Sequence, residues 1–491
     1  MSNHHLTPYL LFVVTTILLS AFQYGYHNGE LNTPQSVISQ CQGASNVNRL
    51  PECIPMPDAD YALIVSMLTA GGLVGALSAP YFNDRYGRRR TLLATNVFLG
   101  LGSVLCTLAS TAKGMMVGRF LSGIGSGLVT VVVPAYIAEC VPEARRGLFG
   151  AFNQLSIVIG IMVAQIMGLV WSTLARWRYI LAVGIVLAVL QASLLPLCVD
   201  SPRYLASLPG GVDKAKAALL RLRQEPAEEV EEEIATWKRD WANGVEESEE
   251  AVLLQEDPRT EEEEGYQKVT SWEFLTSARY RRPLFILLVL QLSQQLSGVN
   301  AVIFYSTSIM STVFPESSGL ITVSISIVNL VMTTLSAVLM DRAGRRTLFL
   351  TSSGLMTLMG TLLGWSIGAG HDRTSAFAII GFIASFAIGL GPIPFLMIPE
   401  VVETKAVSSA CSVGLSVNMI SNFIISAGFL SLRNLLGQAH VFYLFSLTLL
   451  LLTVIAVFIL PETKGRSAED VVRSGYSIYP CSYERIHSTA Q

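Results

Sequence analysis

Charge is scarce in this chain: 14% of its 491 residues are Asp, Glu, Lys or Arg, where a soluble protein carries about 25%. A chain of this length with so few charges cannot clothe a water-facing surface, which sets soluble globular classes aside. Histidines number six and cysteines seven, and none falls at metal-ligand spacing. There is no nucleophile–base constellation and no phosphate-cradling loop, so an enzyme is disfavoured, and no cofactor, metal ion or nucleic acid is implied. Only Cys41 and Cys53 share an exposed loop; they would pair if that loop is lumenal or extracellular and stay free if it is not. The first apolar run lacks a basic leader and a small-residue cleavage site, and so reads as a span rather than a signal peptide.

What the chain has is apolar length. Hydrophobic residues make up 51%, and about twelve apolar runs are each long enough to cross a bilayer, which takes roughly twenty residues at 1.5 Å each. The expected fold is an all-α membrane protein of twelve transmembrane helices in two six-helix halves. Bounds of 1–199 and 283–461 are expected for the halves, 200–282 for a cytoplasmic helical linker and 462–491 for a tail. Short basic loops lie in the cytoplasm. Asp84-Arg85-Tyr86-Gly87-Arg88-Arg89-Arg90, Arg145-Arg146 and Arg342 to Arg346 therefore put both termini there. The linker is acidic: residues 225–264 hold seventeen acids and three bases, a balance of −14, so the remainder of the chain carries +11 of the −3 total. Residues 213–224 and 226–241 show helical patterns, and the Glu clusters beyond them read as solvated.

One pattern occurs twice. Asp84-Arg-Tyr-Gly-Arg-Arg and Asp341-Arg-Ala-Gly-Arg-Arg lie 257 residues apart, each after the second span of its half, as duplicated architecture requires. Charge anchoring alone would need neither the Asp nor the Gly at a fixed offset. The pattern points to a latch between helices, closed by carboxylate–guanidinium pairs.

The stretch Gln291 to Tyr305, QLSQQLSGVNAVIFY, puts amides in an apolar run, where an unsatisfied amide is costly. At about 100° per residue Gln291, Gln294, Gln295 and Tyr305 share one stripe, while Asn300 lies about 140° round from Gln295. Gly298 stands between them, where unwinding is cheapest. A break there would swing Asn300 to the glutamine face and line a cavity. Amides can also simply glue helices together. Five neutral groups near mid-membrane favour a site for a polyhydroxylated solute, because amides donate and accept as hydroxyls do. Gln154 in span five is a further amide for a central cavity. Asn329 interrupts span eight, and Asn418 and Asn422 sit one turn apart in span eleven. Span ten is broken by Gly389, Gly391, Pro392 and Pro394 ahead of Phe395. Near the other end, His27 and Glu30 are ionisable positions at the membrane and hence functional candidates, though Glu30 could already have emerged into solvent. Arg119, isolated near the start of span four, is expected to snorkel to the interface.

Taken together, FQYGYH, both D-R-x-G-R-R loops, GRFLSGIGSG, PAYIAE, DSPR, QLSQQLSGVNAV, GPIP and PETKGR resemble the sugar porter branch of the major facilitator superfamily, most nearly its facilitative hexose transporters, over about residues 8 to 470. The resemblance implies that Gln154, Gln294, Gln295, Asn300, Asn329 and Asn422 hydrogen-bond a sugar, with Phe395 where glucose carriers usually have Trp. It also implies that Asp84, Arg88, Arg89, Glu139, Arg146, Asp341, Arg345 and Glu400 form a gating salt-bridge network. Four positions depart from the pattern. Ala387 stands for a Glu, Val407 for an Arg, and Val199-Asp200 for Pro-Glu. His27 stands where proton-coupled members carry Asp and facilitators carry Asn.

The function expected is hexose transport by alternating access, glucose favoured and fructose the alternative, as facilitated diffusion. Glu30 paired with Arg119 would instead keep a proton-coupled symporter open. A non-transporting sugar sensor is the rival from another class. The partners expected are a small sugar and the bilayer, with sorting adaptors through Glu249–Leu254 or Tyr483–Ile486. A plasma membrane is favoured over an endolysosomal or vacuolar one.

Overall fold

The computed structural model describes residues 7–41, 46–47, 50–142, 145–223, 228, 230–237, 269–403, 406–466 and 468–477, with the backbone alone at 146 and 341. Among them twelve helices are long and apolar enough to cross a membrane. Spans one to six are Pro8–Gly29, Asp58–Tyr86, Arg88–Leu108, Ala112–Cys140, Gly147–Trp171 and Trp177–Leu197. Spans seven to twelve are Ala278–Ser311, Ser318–Met340, Arg345–Ala369, Asp372–Leu396, Val407–Leu436 and Gln438–Ile459. The chain divides into two compact units, Met1–Lys268 and Val269–Gln491.

In the first unit span one starts where the sequence says it can. Thr7 accepts from the Leu10 amide at 3.0 Å and Pro8 fills the first helical position, which satisfies one orphan donor and wastes none. Spans two and four lie close enough that a methyl group on Gly127 would sit 2.0 Å from the Gly72 carbonyl oxygen. Small residues are what permit such an approach in lipid. Leu10, Val13 and Ile17 of span one pack with Val129, Val133 and Tyr136 of span four and Phe149 of span five. Between spans one and two a hairpin of β1 (Asn46–Val47) and β2 (Leu50–Pro51) is clasped by a Cys41–Cys53 disulfide. Trp177 and Arg178 hold it from span six by donating to the carbonyls of Glu52 and Pro51 at 2.7 and 3.0 Å.

The linker opens with helices Pro202–Ser207 and Val212–Leu222, then a helical segment at 230–237. Ala206, Ala215, Leu219, Val230 and Ile234 make a small core of their own. The two sorting motifs lie outside the described residues.

In the second unit span seven is two helices, Arg281–Leu296 and Val299–Ser311, separated at Gly298 with φ +81°. That left-handed backbone is open to glycine and strained for other residues. A side chain there would also strike the Phe445 ring, 2.2 Å from an added methyl. Span ten breaks too: Asp372–Ser385 runs into a π-helical turn, Phe386–Leu390, and resumes as a single turn, Ile393–Leu396.

Candidate functional site

The break at Gly298 brings Asn300 to the glutamine face, where its amide donates to Gln295 Oε1. From there one network runs through the second unit. Gln295 Nε2 donates to Asn418 Oδ1 at 2.9 Å and to Gln294 Oε1 at 3.1 Å. Asn418 Nδ2 donates to Gln294 Oε1 at 2.7 Å and to Gln291 Oε1 at 2.8 Å. Gln294 Nε2 then reaches the Gly391 carbonyl at 2.6 Å and that of Leu390 at 3.2 Å, in the break of span ten. Spans seven, ten and eleven are thus tied by neutral amides, all buried or half-buried. Asn422 lies one turn beyond Asn418 and accepts from Ser426 at 2.8 Å. Asn329 is buried in span eight and accepts from Thr333 at 3.4 Å. Phe395 is 42% exposed on the single turn after the break. Tyr305 leaves the stripe: its hydroxyl donates to the Ser426 carbonyl at 3.1 Å and its ring stacks on Phe429. Gln154 belongs to the first unit, on an exposed face of span five.

The two D-R-x-G-R-R corners are built alike. Each Gly has positive φ, +80° at Gly87 and +87° at Gly344, and ends one helix as the next begins. A carboxylate sits against the new N-terminus. Asp200 Oδ1 accepts from the Arg88 and Arg89 amides, both at 3.1 Å, and Glu462 Oε1 accepts from the Arg345 amide at 2.9 Å. A helix N-terminus favours negative charge there. An added methyl on Gly344 would lie 2.6 Å from Glu462 Oε2, so the motif's glycine also makes room for the acid. Arg88 then pairs with Glu139 at 2.8 Å and Arg345 with Glu400 at 3.3 Å.

Two latch assignments need correction. Asp84 is exposed and makes no ion pair among the described residues; the acid at that corner is Asp200, returning from the end of span six. Arg89 does not pair with a carboxylate among them either, since its guanidinium donates to the Cys198 carbonyl at 3.0 Å. Burial pushes the Cys198 thiol up from its ordinary range. The side chains of Arg146 and Asp341 lie outside the described residues.

Arg119 overturns another expectation. It does not snorkel: it is fully buried and binds Glu30 Oε1 at 2.7 Å and the His27 carbonyl at 2.8 Å. Glu30 is 2% exposed, so it is not left in solvent, and the same Oε1 faces His27 Nδ1 at 3.0 Å. Span four has no acid to offer Arg119 at that depth, and an unpaired buried guanidinium is expensive. The partner is supplied from span one.

The profile of the family described as "Sugar (and other) transporter" matches residues 12–474. The chain belongs to the sugar transporter family. This sugar transporter is 35% identical over 489 residues to solute carrier family 2, facilitated glucose transporter member 3 of Oryctolagus cuniculus, covering 96% of this chain and 94% of the relative. The Homo sapiens member 3 is 34% identical over 486 residues with the same coverage. Member 1 of Gallus gallus is 35% identical over 484 residues, again over 96% and 94%. Among solved structures, the partially occluded inward-open xylose transporter XylE from E. coli superposes with a TM-score of 0.75. It is 20% identical, and the match covers 94% of this chain and all of XylE. That likeness supports the twelve-helix major facilitator fold. The chain is therefore a multi-pass membrane transporter, not an enzyme.

Three features of this sugar transporter's structure are not announced by its sequence. Gln291 lies on the predicted stripe, but its bond to the Pro394 carbonyl at 3.0 Å involves a backbone acceptor that no side-chain pattern announces. Asp200 and Glu462 were visible in DSPR and PETKGR, each just after the last span of its half, and that shared position is the signal that could have paired them. The third, Arg223, is 5% exposed and donates to the carbonyls of Cys140 and Val141 at 3.0 and 3.2 Å. It caps the end of span four from the linker.

Proposed function

We propose that this chain carries a hexose, glucose before fructose, across the membrane by facilitated diffusion, its two halves alternating access to a central site. One observation carries the reading: Gln294, Gln295, Asn300 and Asn418 gather neutral donors and acceptors beside two broken helices, with no carboxylate or metal ligand in the cluster. Polyhydroxylated solutes exchange hydrogen bonds with such groups without a charge to neutralise. Gln154, Asn329, Asn422 and the Phe395 ring complete the contacts proposed for the sugar. The relatives named facilitated glucose transporters support the same solute and the absence of a driving ion. The corner pairs Arg88–Glu139 and Arg345–Glu400 serve as gates in this reading, with Arg146 and Asp341 proposed beside them. Both termini are placed in the cytoplasm and the protein in the plasma membrane.

The purified chain in proteoliposomes should equilibrate labelled glucose, with fructose, galactose and xylose competing in decreasing proportion to their fit. Absence of flux with binding retained would favour a sensor.

A second reading rests on the Glu30–Arg119 pair, a buried carboxylate beside a guanidinium in the first unit. In a proton symporter that acid would be neutralised and released in turn. An inward proton gradient separates the readings. Equilibration alone fits facilitated diffusion; accumulation abolished by Glu30→Gln fits symport.

A further inference from the structure

The break in span ten leaves backbone carbonyls without their helical donors, and several find a replacement on a neighbouring span. Pro392 and Pro394 have no N–H, so the carbonyls of Ile388 and Leu390, four residues earlier, lose the bonds an α-helix would give them. Ser336 of span eight donates to Ile388 O at 2.7 Å, and Gln294 donates to Leu390 O. On the donor side, the Leu390 amide is taken by Ser352 of span nine at 2.8 Å. The Pro394 carbonyl has lost its donor too. The Ile398 amide, which would close the next turn on Pro394 O, binds Phe395 O at 3.4 Å instead. Gln291 fills the gap, its Nε2 donating to Pro394 O at 3.0 Å.

Gln291 is fully buried and both ends of its amide are engaged, the oxygen accepting from Asn418 at 2.8 Å. Gly414 of span eleven faces it, where an added methyl would lie in ordinary contact 3.7 Å from Nε2. Gln294, by contrast, stands at the junction between the amide cluster and the break.

We propose that Gln291 is a positioning residue that never touches the sugar: it pins the turn Ile393–Leu396 to span seven and fixes Asn418, so that it acts on affinity and turnover through the break in span ten. The proposal rests on the hexose-carrier reading for its transport consequence, but the pin itself is a property of the sugar-free protein. In an apolar setting the Pro394 carbonyl has no water to fall back on. Loss of the Gln291 donor therefore frees the turn rather than merely weakening one contact.

Two measurements on the full chain in proteoliposomes test this. The first compares wild type with Gln291→Met, similar in length but without donor or acceptor, using glucose and its monodeoxy analogues as competitors of labelled glucose uptake. A positioning residue shifts the inhibition constant of every analogue by the same factor, within about twofold. A shift that vanishes for one deoxy analogue would identify a lost contact with that hydroxyl and overturn the proposal. The second needs no sugar. Leu396→Cys is introduced with Cys411→Ser and Cys481→Ser, and its alkylation by a small maleimide is timed. Gln291→Met should speed labelling at least fivefold, and an unchanged rate would overturn the pin even if the carrier moves hexose normally. Should Gln291→Met be lost from the membrane, Gln291→Glu carries both measurements. It keeps the length and the acceptor for Asn418, and it donates to Pro394 O only when protonated. Because alkylation of any thiol slows as its thiolate is lost, the quantity read is the ratio of its labelling rate to that of the Gln291 carrier at the same pH, which should fall towards one as pH falls. If the wild type moves no hexose, the functional reading fails while the labelling still decides the pin.

Discussion

Glu30→Gln is the sharpest perturbation of the first unit, because it changes charge and little else. Arg119 is fully buried, with Nη1 2.7 Å from Glu30 Oε1 and 2.8 Å from the His27 carbonyl oxygen. Removing one partner of a buried pair costs about 3–5 kcal/mol, because the survivor keeps an uncompensated charge. The glutamine retains an oxygen that can accept from Arg119, which returns about 1 kcal/mol. A net loss of about 2–4 kcal/mol follows, roughly 30- to 1,000-fold in the unfolding equilibrium constant. Denaturant unfolding of the purified protein in detergent micelles, followed by fluorescence, reads this directly. The decisive comparison is the double variant Glu30→Gln with Arg119→Met. With no charge left to compensate, it should be more stable than Glu30→Gln alone, so that the two losses fail to add by about 2 kcal/mol or more. A single-variant loss under about 1 kcal/mol, or strictly additive losses, would show that the pair is solvated in the working protein and refute the argument.

Gln294→Leu and Gln295→Leu should each weaken apparent hexose affinity about ten- to a hundredfold, from about 1–3 kcal/mol per unpaired buried group; unchanged uptake constants at normal protein level would remove the amide cluster from the site. Gly298→Ala must adopt φ +81° and push into Phe445, so folded protein in the membrane should fall sharply, and normal recovery on gel filtration would mean that span seven does not need its break. Asp200→Asn and Glu462→Gln should each cost about 0.5–2 kcal/mol as weakened helix N-terminal partners, with the loss larger at low salt; equal stability across ionic strengths would contradict the charge argument. Opening the Cys41–Cys53 bridge should destabilise the hairpin between spans one and two by about 2–3 kcal/mol, from the loop of about a dozen residues that it closes, measured as faster proteolysis of that loop under reductant.

What could be read in the sequence was whatever violates the local environment. Three glutamines and an asparagine in an apolar run demand partners, and a glycine among them marks the cheapest place to break, so the amide cluster and the split of span seven were legible. So were twelve spans, because length and hydropathy are local properties. What could not be read depends on groups far apart in the chain or on backbone alone. Asp200 meets the Arg88 amide across 112 residues, and Glu30 meets Arg119 across 89, so Asp84 was the nearer acid to choose and an interface the nearer refuge for Arg119. The carbonyls freed in span ten carry no residue identity, which hid the role of Gln291.

The carboxylate seated on each Gly-Arg-Arg corner has a bearing on how the chain could be handled. Asp200 arrives before the acidic linker and Glu462 arrives from the far end of the second unit, so each unit fastens its own corner with a residue of its own. Severing the backbone between 241 and 266 cuts neither clasp. The two polypeptides could then be made separately, exchanged with pieces from related carriers, or labelled one at a time for spectroscopy, and each would bring its fastening with it.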